Sequence, residues 1–247
     1  MPSKNQIKPN ISPIHRVGFI EGCKAAVPIA IGYIPIGITF GLLAQAAGIP
    51  NYITVMMSLV IFAGASQFVG INLIALGTGY IEIILTTFIL NLRHLLMSAS
   101  LSQKLASGTP KGILALLAFG VTDETFSVAS FRSEAALSPE FLAGLNLLAY
   151  SAWNLGTWLG FFLAAGLPEA IKNSMGIALY VMFIGLLVPS CRKSRATLTI
   201  ALLAMAVHYL LQYVPATAGL STGLKIVITT LAAALVGAVI FSEEDNG

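Results

Sequence analysis

The stretch "TTFILNLRHLLMSAS", residues 86–100, reads as a membrane span interrupted by charge. Arg93 and His94 fall in the middle of an apolar run, and Asn91 precedes them by less than one helical turn. An ionisable side chain at this depth costs roughly 2.5–3.5 kcal/mol on insertion scales, so it persists only where it is paired, wetted or used. Two questions follow: whether the rest of the chain belongs in lipid, and whether an acid reaches Arg93.

The composition answers the first. The 247 residues are 57% hydrophobic and 9% charged, with mean hydropathy +0.88. A soluble domain carries about a quarter charged residues, so this chain cannot cover itself with a water-compatible surface. Two cysteines, Cys23 and Cys191, make neither a disulfide framework nor a metal site. No HExxH and no glycine-rich phosphate loop occurs, and no cofactor is expected. The first residues, "MPSKNQIKPNISPIHR", are polar and basic and do not read as a secretory signal.

A span needs about 20 mostly apolar residues. Eight candidates stand out, at 26–47, 53–76, 81–101, 112–131, 141–165, 170–190, 197–213 and 221–241. The expected fold is therefore an all-α polytopic bundle occupying 18–241. An N-terminal tail (1–17), either interfacial or running straight into the first helix, precedes it, and an acidic tail (242–247) follows. The runs are continuous rather than alternating, which excludes a β-barrel. Lysine and arginine set the orientation. With the N-terminus inside, the cytoplasmic face holds Lys4, Lys8, Arg16, Lys24, Arg132, Arg192, Lys193 and Arg195. Lys104, Lys111, Lys172 and Lys225 lie outside or near the outer end. Both termini are then cytoplasmic, and both cysteines are free thiols on the reducing side.

"GITFGLLAQAAGIP" (37–50) resembles "GTWLGFFLAAGLP" (156–168), each with GxxxG followed by Ala-Ala-Gly. The pair suggests two four-helix halves in the same orientation, with coincidence as the alternative in a chain rich in glycine and alanine.

The second question is answered in the fourth span, where Asp123 and Glu124 interrupt "FGVTDETFSVAS". The third and fourth spans form a hairpin turning near Ser107. Arg93 lies 14 residues before that point and Asp123 lies 16 after it. The difference of two residues is about 3 Å of helix rise, so base and acid sit at similar depth. Thr87, Asn91, His94 and Ser98 share one helix face, and Asp123, Ser127 and Ser130 share another. The plain reading is an ion pair that fixes the hairpin. The functional one is a ligand or ion site, and the two can coexist.

Other spans supply further candidates. Pro28 and Pro35, with Gly32, Gly37 and Gly41 nearby, point to a first span that is either discontinuous or merely kinked. Ser66 and Gln67 in "FAGASQFVG" bring polarity to mid-span, as do Trp153 and Asn154 in the fifth. His208 and Gln212 read as a satisfied interior pair. Ser98 lies one turn from His94, so a Ser–His–Asp arrangement with Asp123 can be drawn, which keeps an intramembrane enzyme as an alternative. A channel lined by the same charges is another.

Taken in order, the proline- and glycine-rich first span, "FAGASQF" (62–68), "NLRH" (91–94) and "TDETF" (122–126) resemble the AzlC family of branched-chain amino acid exporters. The resemblance covers roughly 18–240 and is specific through Asp123. It implies export of valine, leucine or isoleucine across the cytoplasmic (inner) membrane. It also implies a small four-span AzlD-type membrane subunit as partner. The family often carries an acid in its sixth span, where this chain has Ala178 within "MGIALYVMF". The expected function is secondary, ion-coupled export, not enzyme catalysis. The expected translocation residues are Pro28, Pro35, Ser66, Gln67, Asn91, Arg93, His94, Asp123, Glu124, Trp153 and Asn154, with His94 and Asp123 as candidates for proton coupling. The partner is expected to dock on one of the glycine faces, Gly37/Gly41 or Gly156/Gly160.

Overall fold

The computed structural model describes residues 18–106, 108–132, 136–164, 166, 168, 184, 187–192 and 194–241. The two tails lie outside the described residues, as does most of the expected sixth span with its Ala178. The chain is all-α. Among the described residues no strand forms, and a single isolated bridge joins Leu105 to Leu137.

Helix α1 (Phe19–Ala46) is one unbroken helix of 28 residues with both Pro28 and Pro35 inside it. This corrects the expectation of a discontinuous first span. Both prolines are exposed on the side away from the core, and the helix runs through them without a break. The opposite side carries the buried stripe Gly22, Ala26, Ile29, Tyr33, Gly37, Phe40, Gly41 and Ala44, at helical spacing.

That stripe packs on α7 (Pro139–Ala164), and glycine sets the distance. A Cβ added at Gly37 would lie 2.7 Å from the Trp153 carbonyl oxygen and 3.1 Å from the Cα of Gly156. One added at Gly41 would lie 3.1 Å from the Cα of Gly160. Gly22 likewise meets the Phe141 carbonyl, and Gly144 meets that of Phe19. Partner numbers rise together along both helices, so α1 and α7 run parallel. Gly37 meets Gly156, and Gly41 meets Gly160, at equivalent places in the two copies of the sequence repeat. Two halves in the same orientation would meet in this way. The glycine faces therefore cover each other, which corrects the expectation that one of them receives a partner.

The breaks come elsewhere. The second span is two helices, α2 (Asn51–Val60) and α3 (Gly64–Ala75). The fourth is also two, α5 (Lys111–Phe119) and α6 (Asp123–Ser130). Between them runs α4 (Tyr80–Lys104), and α8 (Arg195–Tyr213) and α9 (Thr222–Phe241) close the described chain. The α9 N-terminus is held by α4, where the Gly223 N–H donates to Glu82 Oε1 at 2.6 Å. Lys225 Nζ donates to Gln212 at 3.1 Å. Helices α1, α4, α8 and α9 are each long and apolar enough to cross a membrane by length and composition. Cys23 and Cys191 are free thiols.

Buried polar groups make the breaks tolerable, since a non-helical backbone at membrane depth must find partners inside the protein. Both breaks draw on α7. Tyr150 donates its hydroxyl to the Leu59 carbonyl at 2.9 Å, and Asn146, one turn earlier, donates to the Leu117 carbonyl at 2.8 Å. Each of these carbonyls lies two or three residues before its break.

Candidate functional site

The break at 61–63 is built from small and aromatic residues. Phe62 takes a left-handed backbone (φ 45°), a strained setting for a bulky side chain. Its ring is locked edge-to-face against Tyr150 at 5.1 Å and Tyr33 at 6.3 Å. The Ala63 N–H is taken by Gln67 Oε1 at 3.1 Å, and Gln67 Nε2 donates to Ser58 at 3.2 Å. Ser58 in turn shares a 2.8 Å hydrogen bond with Thr157 of α7. Ser66 donates to the Ala63 carbonyl at 2.9 Å. No side chain caps α3 from outside, and the N–H groups of Gly64, Ala65 and Ser66 have no protein acceptor among the described residues.

The break at 120–122 is capped. Thr122 accepts the Thr125 N–H at 3.3 Å, and Thr125 Oγ1 accepts the Thr122 N–H at 2.8 Å, a reciprocal capping box. Gly120 is required here, because a Cβ would lie 2.6 Å from that of Asn146. Asp123 and Glu124 form the first turn of α6, where the helix dipole favours negative charge.

Both helix starts open on one cavity of about 780 Å³. Gly64 and Ala65 of α3, Arg93 and His94 of α4, and Thr122, Asp123, Glu124 and Ser127 of the α6 region form its polar wall. Ile29, Ile36, Phe62, Phe68, Val128 and Trp153 form an apolar one. Arg93 Nη1 meets Asp123 Oδ2 at 2.5 Å, the contact that the matched depths imply. The pair is wetted rather than buried, with 41% and 49% of the two side chains exposed. Arg93 Nε is buried and has no partner among the described residues, so one guanidinium donor is unused. Tyr33 reaches across from α1, with its hydroxyl 2.5 Å from Glu124 Oε2 and 2.7 Å from Thr122 Oγ1. Trp153 Nε1 is buried and has no partner.

Of the expected residues, the cavity gathers Arg93, His94, Asp123, Glu124 and Trp153. It does not gather the others. Pro28 and Pro35 face outward because the buried stripe of α1 is on the opposite side. Ser66 and Gln67 are buried within the break and hold its backbone. Asn154 points back along its own helix and donates to the Tyr150 carbonyl at 2.9 Å. Asn91 is off the cavity wall, one turn from His94 on the same helix. Ser98 lines a separate apolar groove between α4 and α5, so no Ser98–His94–Asp123 arrangement is assembled.

Three residues were missed by the sequence reading. Tyr33 carried a signal, a tyrosine on the stripe opposite the two prolines. Asn146 and Tyr150 carried one in their spacing of four, which puts both on the face turned toward the breaks.

Comparison with known proteins places this architecture. A family model described as AzlC protein matches residues 28–167. The chain belongs to the AzlC family. The AzlC match contains both broken spans and every ionisable residue of the cavity wall. Among relatives, the inner membrane protein YgaZ of Escherichia coli is 34% identical over 194 residues, covering 76% of this chain and 79% of its own. An uncharacterized membrane protein of Archaeoglobus fulgidus is 36% identical over 196 residues, 78% and 85% of the two chains. The branched-chain amino acid transport protein AzlC of Bacillus subtilis is 30% identical over 137 residues, 54% of this chain and 53% of that protein. No solved structure matches the chain.

Proposed function

We propose that the chain is a secondary transporter that exports branched-chain or similar aliphatic amino acids from the cytoplasm. The observation that carries the reading is a single cavity with a two-sided wall. A free amino acid is a zwitterion on an apolar stem. Its carboxylate fits the uncapped N–H groups of α3 and the reserve donors of Arg93. Its ammonium fits the acidic start of α6. Its side chain fits the wall of Ile29, Ile36, Phe68 and Val128. The name of the Bacillus subtilis relative supports the substrate class.

Three finer parts belong to the same proposal. Export is coupled to an ion. The chain lies in the cytoplasmic membrane with both termini inside, on the lysine and arginine bias. It works with a small four-span membrane subunit, as the family resemblance implies. Helix α8 supports that last part, because none of its 19 residues is buried within this chain.

The test is efflux of preloaded valine, leucine or isoleucine from cells and from proteoliposomes, with this chain alone and with a four-span subunit encoded beside it. Outward movement against a concentration gradient is expected, at full rate only with both chains. Flux that only dissipates gradients would make the protein a channel. Consumption of the amino acid would make it an enzyme.

A further inference from the structure

We infer that Glu124, rather than its neighbour Asp123, is the carboxylate that a proton and the substrate ammonium occupy in turn. The inference rests on the proposed function and assigns its coupling site.

The two acids stand side by side in the first turn of α6 but in different company. Asp123 is matched by Arg93 at 2.5 Å. Glu124 has no Lys, Arg or His nitrogen within ion-pair distance among the described residues, and its partner is the neutral Tyr33 hydroxyl at 2.5 Å. The other groups around it are accounted for. Helix α1 offers Tyr33, α4 offers Arg93 and His94, α6 offers Asp123, and α7 offers the non-titrating Trp153. From α3 the cavity receives Gly64, Ala65 and the non-titrating Phe68, from α8 Thr197, and from the segment before α8 Leu187 and Ser190. With His94 neutral, the wall sums to one unmatched negative charge among the described residues, and that charge is on Glu124.

A carboxylate with no counter-cation beside an apolar wall is relieved by one positive charge. A proton supplies it, and so does an ammonium group, but not both together. Binding then reads as Glu124–COOH plus the amino acid ammonium giving the Glu124 carboxylate–ammonium pair, with the proton released to cavity water. Inward proton movement and outward substrate movement share one seat, which is what antiport requires.

Tyr33 is placed to follow the exchange. Its single hydroxyl proton has two acceptors in reach, Glu124 Oε2 at 2.5 Å and Thr122 Oγ1 at 2.7 Å. It donates to Glu124 when the carboxylate is ionised. It turns to Thr122 when Glu124 carries its own proton. Thr122 caps α6, so the charge on Glu124 is passed to the hydrogen bonds that hold the break.

The experiment has two arms on the full-length protein in nanodiscs. In the first, infrared difference spectra are recorded as pH is lowered without substrate. A carboxylic acid C=O band is expected in the wild type and in Asp123→Asn, and is lost in Glu124→Gln. Loss in Asp123→Asn alone, or in neither variant, overturns the assignment. In the second, leucine binding is followed by calorimetry in buffers of different ionisation enthalpy. The wild type is expected to release about one proton per leucine at acidic pH, with affinity falling about tenfold per pH unit there. Glu124→Asp keeps this behaviour. Glu124→Gln binds weakly and independently of pH, or binds with no proton released. Unchanged proton release in Glu124→Gln overturns the inference. A wild type that binds no amino acid at any pH overturns the functional reading instead, and the infrared arm still decides which carboxylate takes the proton.

Discussion

The break at 61–63 and the break at 120–122 follow half-helices of ten and nine residues, and both are held by α7, yet their helix starts are opposite in character. At the first, Gly64 and Ala65 occupy the first two positions of α3 and line the cavity, their N–H groups without an acceptor among the described residues. At the second, Asp123 and Glu124 occupy the same two positions of α6 behind a threonine cap. One start is left positive and the other is loaded with acid. A pair of similar breaks has been turned into two poles by four residues.

The sharpest way to break this contrast is to make the first start resemble the second. Ala65→Asp puts an acid where Glu124 stands in α6, in the place proposed for a substrate carboxylate. Efflux is expected to fall at least about 100-fold, equivalent to roughly 2.7 kcal/mol. Folding should be retained, since an acid at a helix start is favourable.

Next come the two supports from α7. Asn146→Ala leaves the Leu117 carbonyl with the Gly120 N–H alone, and Tyr150→Phe removes the side-chain donor of the partly buried Leu59 carbonyl. Each should cost about 1–3 kcal/mol, read as a lower thermal unfolding midpoint. Equal losses would show that the scaffold treats the breaks alike and that their difference lies in the helix starts.

Capping gives a smaller effect with opposite signs at the two sites. Thr122→Ala should destabilise by about 1 kcal/mol through loss of the cap. Ala63→Ser adds a cap to α3. It should raise thermal stability slightly while weakening leucine binding, because the new hydroxyl takes an N–H that the proposed function gives to the substrate carboxylate.

The smallest effect concerns the ion pair. Arg93 and Asp123 are both more than a third exposed, so solvent screens them. A double-mutant cycle with Arg93→Gln and Asp123→Asn should give a coupling of about 0.2–1 kcal/mol in stability. A coupling of several kcal/mol would mean that the pair is sealed in the working membrane.

The charged pole was legible in the sequence because intramembrane charge is rare, and counting residues from the hairpin turn fixed its depth. The breaks were harder to read. Proline drew the eye to α1, yet that helix runs unbroken through both prolines on its outward face. The actual breaks contain no proline. "TDET" did hold a helix start, with a capping threonine and two acids in the first turn, inside what passed for one continuous span. "FAGA" held no comparable cue, since Tyr150 and Thr157, which hold this break from α7, are remote in sequence. Gln67 suggested a cavity because a mid-span amide has no other use until the unpaired N–H of Ala63 is known.

The seam between α1 and α7 has a mechanical consequence. Backbones in contact through Gly22, Gly37, Gly41, Gly144, Gly156 and Gly160 leave no side chains between the two helices at those points. Sliding either helix by one residue would drive an Ile38 or Trp153 neighbour into main-chain atoms rather than into a yielding methyl group. The two helices therefore move as one solid piece. In the proposed transport cycle, opening of the cavity to either side of the membrane is then expected to come from the helices packed around that piece. Spin labels on the outer faces of α1 and α7 should hold a narrow, constant separation through the cycle, while a label pair spanning α1 and α4 broadens or splits.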